Sequence, residues 1–267
     1  MPAPAPVPTR RGPAPVSRAL DVLAAVGYGT RFFLRLCGLG LASLRRPRLA
    51  IDQVHFIGNY SLSIVLVSGL LIGFVLGLQG YYTLRRYGSE EALGLLVTLS
   101  LVRELGPVVT ALLLAGRAGT SLTAEVGLMK AGEQIDAMEM MAVDPVARVL
   151  APRFIAAVLC VPLLAALFSA MGVLGGYLVG VQGIGVDAGS FWAQMQGGVD
   201  WLADVGNGVL KSIVFGFTIA FTALYVGYHA APTPEGVSRA TTTTVVVASL
   251  AVLGLDFILT ALMFSTE

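Results

Sequence analysis

Arg103 and Glu104 stand side by side in the run LSLVRELGPVV, roughly 11 residues from either end of a stretch apolar enough to cross a bilayer. A charge at the centre of the hydrocarbon costs at least about 2.5 kcal/mol, so ionisable side chains kept there are functional candidates by default. Pro107 reinforces this, because it offers no N–H to the carbonyl of Arg103 four residues earlier and its ring disturbs the helix there. A kink beside buried charges marks a polar cavity or a bending point. Two more charges, Lys211 and Asp256, fall inside later apolar runs. Counted inward from the same side at 1.5 Å per residue, Arg103 and Asp256 lie roughly 12 to 18 Å deep and Lys211 roughly 9 Å deep. These four are expected to form one network of two acids and two bases, which lowers the cost of burying them. Such a network either locks helices together or makes a polar site for transport, and residue types alone leave both open.

Other chemistry finds no support. The chain has two lysines, Lys130 and Lys211, neither preceded by glycine, and no GxxxxGK[ST] run, so it carries no P-loop for ATP. GxSxG and HExxH runs do not occur, and no catalytic residues are assigned. His55 and His229 stand singly near membrane boundaries, and Cys37 and Cys160 lie in separate apolar stretches without CxxC spacing. No metal site is expected from them. A net charge of +1 gives no basic field that would hold nucleic acid.

The elements that position the charges follow from composition. Of 267 residues 56% are hydrophobic and 12% charged, against about 25% charged in an ordinary soluble domain, which identifies lipid as the solvent. About 20 apolar residues are needed to cross a hydrocarbon core about 30 Å thick. Five segments meet this, at approximately 57–82, 92–116, 150–181, 205–228 and 240–264, with four or six spans as the alternatives. The third holds Pro152 and Pro162 and reads as one tilted or kinked span. Residues 1–16 are dense in Pro and Ala and are expected to form a disordered tail without a cleaved leader. Residues 17–48 mix apolar side chains with Arg18, Arg31, Arg35, Arg45, Arg46 and Arg48, and are expected to form an amphipathic helix in the membrane interface. The remainder, 49–267, forms the transmembrane domain. Arg117, Lys130, Arg148 and Arg153 follow the second span, which places that loop and the N-terminus in the cytoplasm and the C-terminus on the far side.

Glycines recur every four residues in the first span (Gly69, Gly73, Gly77) and the third (Gly172, Gly176, Gly180). Such faces let backbones approach closely, either within the chain or along a groove or dimer seam. Between the second and third spans, residues 120–143 read as a short cytoplasmic helix started by Thr120 or Thr123 and stopped at Asp144-Pro145. It carries Glu125, Lys130, Glu133, Asp136 and Glu139 on one side and apolar residues including Met138 on the other. A soluble partner can grip such a helix, whereas its acidic balance disfavours a membrane surface.

Three blocks resemble the MlaE/YrbE family of permease subunits from bacterial ABC-type lipid transporters. They are VSGLLIGFVLGLQGYYTL at 67–84, SLVRELGPVVTALLLAGRAGTSLTAEVGLMKAGEQIDAMEMMAVDP at 100–145 and SRATTTTVVVASLAVLGLDFILTALMF at 238–264. The resemblance covers nearly the whole chain from about residue 50, and the Pro-rich tail is its main departure. It implies an all-helical, multi-pass homodimer in a bacterial inner membrane. It also implies partners: an ATPase subunit like MlaF that binds ATP and Mg, a STAS-domain protein like MlaB, and a hexamer of MCE-domain protein like MlaD. The activity implied is movement of phospholipid between inner and outer membranes, which maintains outer-membrane lipid asymmetry, with no cofactor on this chain and no enzyme activity of its own. By the same resemblance Leu76, Gln79, Tyr82, Thr83, Leu84 and Tyr87 line a lipid cavity at the dimer seam. The 120–143 helix becomes the element that couples to the ATPase, and Arg103, Glu104, Lys211 and Asp256 match the family's intramembrane charges.

Overall fold

The computed structural model describes residues 15–43 and 47–264, and these contain helices and turns but no strand. The helices are α1 (Pro15–Ser43), α2 (Pro47–Arg85), α3 (Glu90–Ala131), α4 (Gln134–Met140), α5 (Val146–Gly183), α6 (Ala188–Gly198), α7 (Trp201–Tyr228) and α8 (Pro234–Phe264). Five of them, α2, α3, α5, α7 and α8, are long and apolar enough to span a membrane. Prolines open α1, α2 and α8, positions where a missing N–H is harmless and the fixed φ favours a helical start. Asp187 and Asp200 cap α6 and α7, their carboxylates accepting from the amides of Ser190 and of Leu202 and Ala203.

Several boundaries move. The expected tail, residues 1–16, lies almost wholly outside the described residues. The helix expected over 17–48 ends at Ser43, and α2 already starts at Pro47, so the expected boundary at residue 49 falls inside a helix. The second span does not stop near 116 but continues to Ala131. Thr120 and Thr123 therefore start no helix. The Thr120 hydroxyl turns back to the carbonyls of Gly116 and Arg117, and that of Thr123 to Gly119. The helix expected over 120–143 breaks at Gly132 and Glu133, where Glu133 takes a left-handed φ of 56°, and only α4 follows it. The third span, in contrast, is one continuous helix through Pro152 and Pro162, as its sequence implies.

Two kinds of contact hold the spans. α2 and α5 meet backbone to backbone: a Cβ at Gly73 would sit 2.0 Å from the carbonyl oxygen of Gly172, and one at Gly69 2.7 Å from that of Phe168. The glycine face of α5 receives a second helix, because Cβ atoms at Gly172, Gly176 and Gly180 would meet Leu101, Val97 and Leu93 of α3 at 2.6 to 2.8 Å. Both glycine repeats are thus consumed by packing within the chain. α5 is the centre, with 61% of its most apolar stretch buried against 11% for α8 at the edge. α1 docks Phe32 and Phe33 on Phe154, Phe221 and Tyr225 of α5 and α7, and Arg35 pairs with Asp144 at 2.8 Å.

Candidate functional site

α3 loosens into a π-helical turn over Ser100–Leu105, where the Gly106 amide reaches the carbonyl of Leu101 five residues back. Pro107 follows and cannot supply the N–H that a regular helix would give Arg103. Such widened turns concentrate at functional sites because they redirect side chains without ending the helix. Here the turn presents Arg103 and Glu104 to different neighbours.

Glu104 faces Lys211 of α7, which is 1% exposed. The ammonium lies 2.9 Å from the Glu104 carboxylate and 3.1 Å from that of Asp256 on α8. It also donates to the Thr260 hydroxyl at 2.7 Å, and Thr260 in turn donates to Glu104 at 3.3 Å. The buried ammonium thus has one hydrogen-bond acceptor, the Thr260 hydroxyl, and two carboxylates within ion-pair distance, with Asp256 Oδ1 making no hydrogen bond. A desolvated cation is tolerable only with such partners, and two carboxylates around one lysine leave the cluster a formal charge of −1. Glu104, at 38% side-chain exposure, is its open edge.

Arg103 does not join this cluster. It forms an ion pair with Asp204, which lies in a second π-helical turn at the start of α7, is 1% exposed, and also accepts from the amide of Asp200 at 2.8 Å. The expected single network is therefore two: Lys211 with Glu104 and Asp256, and Arg103 with Asp204. The reason is geometric, since consecutive helical residues point about 100° apart. Asp204 and Thr260 are the participants that sequence reading missed. Both carry a signal, Asp204 standing seven residues before Lys211 and Thr260 four after Asp256, spacings that share a helix face.

Of the six residues expected to line a lipid cavity, five lie along the C-terminal part of α2 and Tyr87 lies in the turn after it. Gln79, Tyr82, Thr83 and Tyr87 are exposed, and Leu76 and Leu84 are half-buried. A cavity of about 390 Å³ lies elsewhere, between α3, α5 and α7 and against α6, with Thr98, Ala166, Ser169, Gln196 and Trp201 in its wall.

The residues expected on one coupling helix divide between two elements. Glu125 and Lys130 belong to the end of α3: Glu125 pairs with Arg153 of α5 at 3.2 Å, and Lys130 donates to the carbonyl of Tyr228 at 2.9 Å. Glu133 forms the break, and α4 carries Asp136, Met138 and Glu139. Glu133, Asp136 and Glu139 are exposed, Glu139 within 3.5 Å of the Tyr228 hydroxyl, while Met138 packs on the core. Among the described residues no group of three or more potential metal ligands occurs, and both cysteines are free.

Five helices long and apolar enough to span a membrane, with paired charges inside them, make this a polytopic membrane protein. The chain belongs to the family described as Permease MlaE, which matches residues 50–262. It is 60% identical to the intermembrane phospholipid transport system permease protein MlaE of Haemophilus influenzae, over 92% of this chain and 95% of that one. It is also 38% identical to a probable ABC transporter permease protein of Rickettsia bellii, covering 92% and 95% of the two chains. With the chloroplastic protein Trigalactosyldiacylglycerol 1 of Arabidopsis thaliana it shares 28% identity over 81% of this chain and 62% of the plant protein.

Proposed function

We propose that this chain is the permease subunit of an ABC-type transporter that moves phospholipid between inner and outer membranes and so maintains outer-membrane lipid asymmetry. The observation that carries this is the near full-length identity with the Haemophilus permease. The geometry fits it, because the ion cluster sits inside the spans and opens at Glu104, where a headgroup can be met without exposing acyl chains to water.

The working unit is a homodimer in the bacterial inner membrane. Leu76, Gln79, Tyr82, Thr83, Leu84 and Tyr87 line a lipid cavity where two α2 helices face each other, which accounts for an apolar α2 face left uncovered by its own chain. α1 lies in the interface with Leu23, Val26 and Leu34 outward, and the N-terminus is cytoplasmic and the C-terminus periplasmic. An MlaF-like ATPase holding ATP and Mg grips the α3–α4 elbow at Glu133, Asp136 and Glu139, beside an MlaB-like STAS protein, while an MlaD-like MCE hexamer receives lipid on the far side. ATP binding shifts the dimer between two arrangements by acting on the elbow, which requires the nucleotide state to favour one arrangement over the other.

The test is transfer of labelled phospholipid in proteoliposomes of the co-expressed complex, with Glu104→Ala and Asp256→Ala beside wild type. Transfer that needs ATP and the ATPase, and falls in the variants while the complex stays assembled, is the expected result. Transfer of lipid or another solute by this chain without an ATPase overturns the reading in favour of a carrier that uses the buried acids directly.

A further inference from the structure

The cavity between α3, α5 and α7 is built differently from the ion clusters beside it. Small residues make the room: Ala165, Ala166 and Ala170 on α5 and Gly208 on α7 face space that larger side chains would fill. Gly208 is also required for the approach of α7, since a Cβ there would sit 2.3 Å from the carbonyl oxygen of Val102. Three hydroxyls lie in the wall, and each is already committed to a backbone carbonyl. Thr98 donates to Gly94 at 2.8 Å, Ser212 to Gly208 at 2.9 Å and Ser169 to Leu101 at 3.4 Å. Their lone pairs can still accept, but the rest of the wall, Val102, Pro107, Pro162, Val173 and Val205 among it, is carbon.

Water needs two to four polar partners to remain in such a space, and interiors are otherwise close-packed, so the cavity calls for an apolar occupant. Its size limits the choice. At about 390 Å³ it is more than twice the roughly 150 Å³ of an engineered cavity that takes benzene. A slim flexible chain fits such a space. At the α6 side the wall ends in the Gln196 amide and the Trp201 indole, with Trp201 largely exposed. An apolar body with a polar rim is how membrane proteins meet the headgroup level.

We propose that this cavity is a second lipid site, distinct from the α2 surface, that takes one acyl chain of a phospholipid while the headgroup stays at the Gln196 and Trp201 rim. The inference rests on the reading of the chain as a phospholipid permease.

The experiment uses the assembled complex in nanodiscs doped with phosphatidylethanolamine bearing a photoreactive diazirine at the end of one acyl chain, or on its headgroup. Peptides are mapped after irradiation, and lipid transfer is assayed in parallel. The expected result is tail-probe labelling within 162–173 and 205–212 that is lost in Ala166→Phe and in the milder Ala170→Leu, while labelling of 76–87 persists. Labelling of α2 alone, labelling that survives in both filled variants, or headgroup-probe labelling of the α5 wall overturns the second site. The first of these, with transfer intact, leaves the permease reading in place. Absence of both labelling and ATP-dependent transfer removes the two together.

Discussion

α2 and α8 are both outer helices, yet they are fastened to the body in opposite ways. α2 lies on α5 through glycines, with Gly73 set against Gly172 and Gly77 against Gly176. α8 shares an apolar cluster with α3 and α7, Ala248 and Val252 with Ala111, Phe215 and Ile219, and polar side chains fasten its two ends: Asp256 and Thr260 at Lys211, and Thr244, which shares a 2.9 Å hydrogen bond with Thr123, itself 3.0 Å from the carbonyl of Ala223. Lipid removes the hydrophobic drive between helices and leaves close packing and polar bonds as the available fasteners. A glycine seam fixes one rigid geometry, because backbones in contact have nowhere to slide. A polar staple can be re-formed in a second arrangement, provided each charge keeps a partner.

The largest effect is expected at the glycine seam. Gly73→Val places carbon within 2.0 Å of a backbone oxygen, which no side-chain rotation relieves, so α2 must leave α5. The outcome is loss of monodisperse protein on size exclusion in mild detergent. Gly116→Val is the control, since a Cβ there meets nothing within 4 Å, and it is expected to behave as wild type.

Next comes the α8 staple. Lys211→Met leaves the Glu104 and Asp256 carboxylates facing each other without their cation, a loss of about 3 to 5 kcal/mol for breaking a buried pair. A large drop in thermal midpoint checks this. Adding Glu104→Gln and Asp256→Asn to the same chain is expected to restore much of it, because the triple variant leaves no unpaired charge. Restoration of stability without restoration of lipid transfer would separate a transport role for the cluster from a fastening role. Asp204→Asn is expected to cost less, about 1 to 3 kcal/mol, because Arg103, at 32% side-chain exposure, can find other partners and the asparagine can still accept from the Asp200 amide.

That same division explains what the sequence disclosed. Spans show themselves because about 20 apolar residues in a row have few other uses, and all five were legible. The end of α3 was not. Hydropathy fades at Arg117, but Arg117 is satisfied by Ser61 at 2.8 Å and by the face of Tyr60, and Leu122, Thr123 and Val126 beyond it are buried. A polar residue with a tertiary partner looks, in one dimension, like the start of a loop. The ion cluster was half legible. Depth counting brings Lys211, Glu104 and Asp256 together, whereas Arg103 pairs with Asp204, which stands one residue before the span expected at 205–228. The π-helical turns that aim Arg103 and Asp204 leave no composition signal, since they differ from the α-helix by one residue of register. Four of the six expected lipid residues are exposed on the single chain, a placement that residue types alone do not reveal.

The smallest effect expected from the same contrast concerns α1, whose close glycine, Gly40, meets only the side chains of Ile155 and Phe154 and whose ion pair with Asp144 is exposed. At the end of α7, Tyr28 meets the His229 ring edge-on at 5.5 Å with its hydroxyl 3.4 Å from Nε2, and Phe32 lies 5.9 Å from the ring, which Tyr225 of α7 itself approaches to 4.4 Å. Burial holds the His229 imidazole below its ordinary value of 6.5; the Tyr225 carbonyl opposes this and nearby Lys130 adds to it. The ring is therefore neutral in the docked state and protonates more readily once exposed. Its contribution is fully present above pH 6.5 and declines as pH falls below it. Hydrogen exchange in residues 26–37, corrected for the intrinsic slowing of amide exchange at lower pH, is expected to rise modestly between pH 7.5 and 5.5, and His229→Phe is expected to remove that dependence while keeping the aromatic contact. An unchanged pH response in His229→Phe would place the sensitivity elsewhere, with the exposed Arg35–Asp144 pair the next contact to remove.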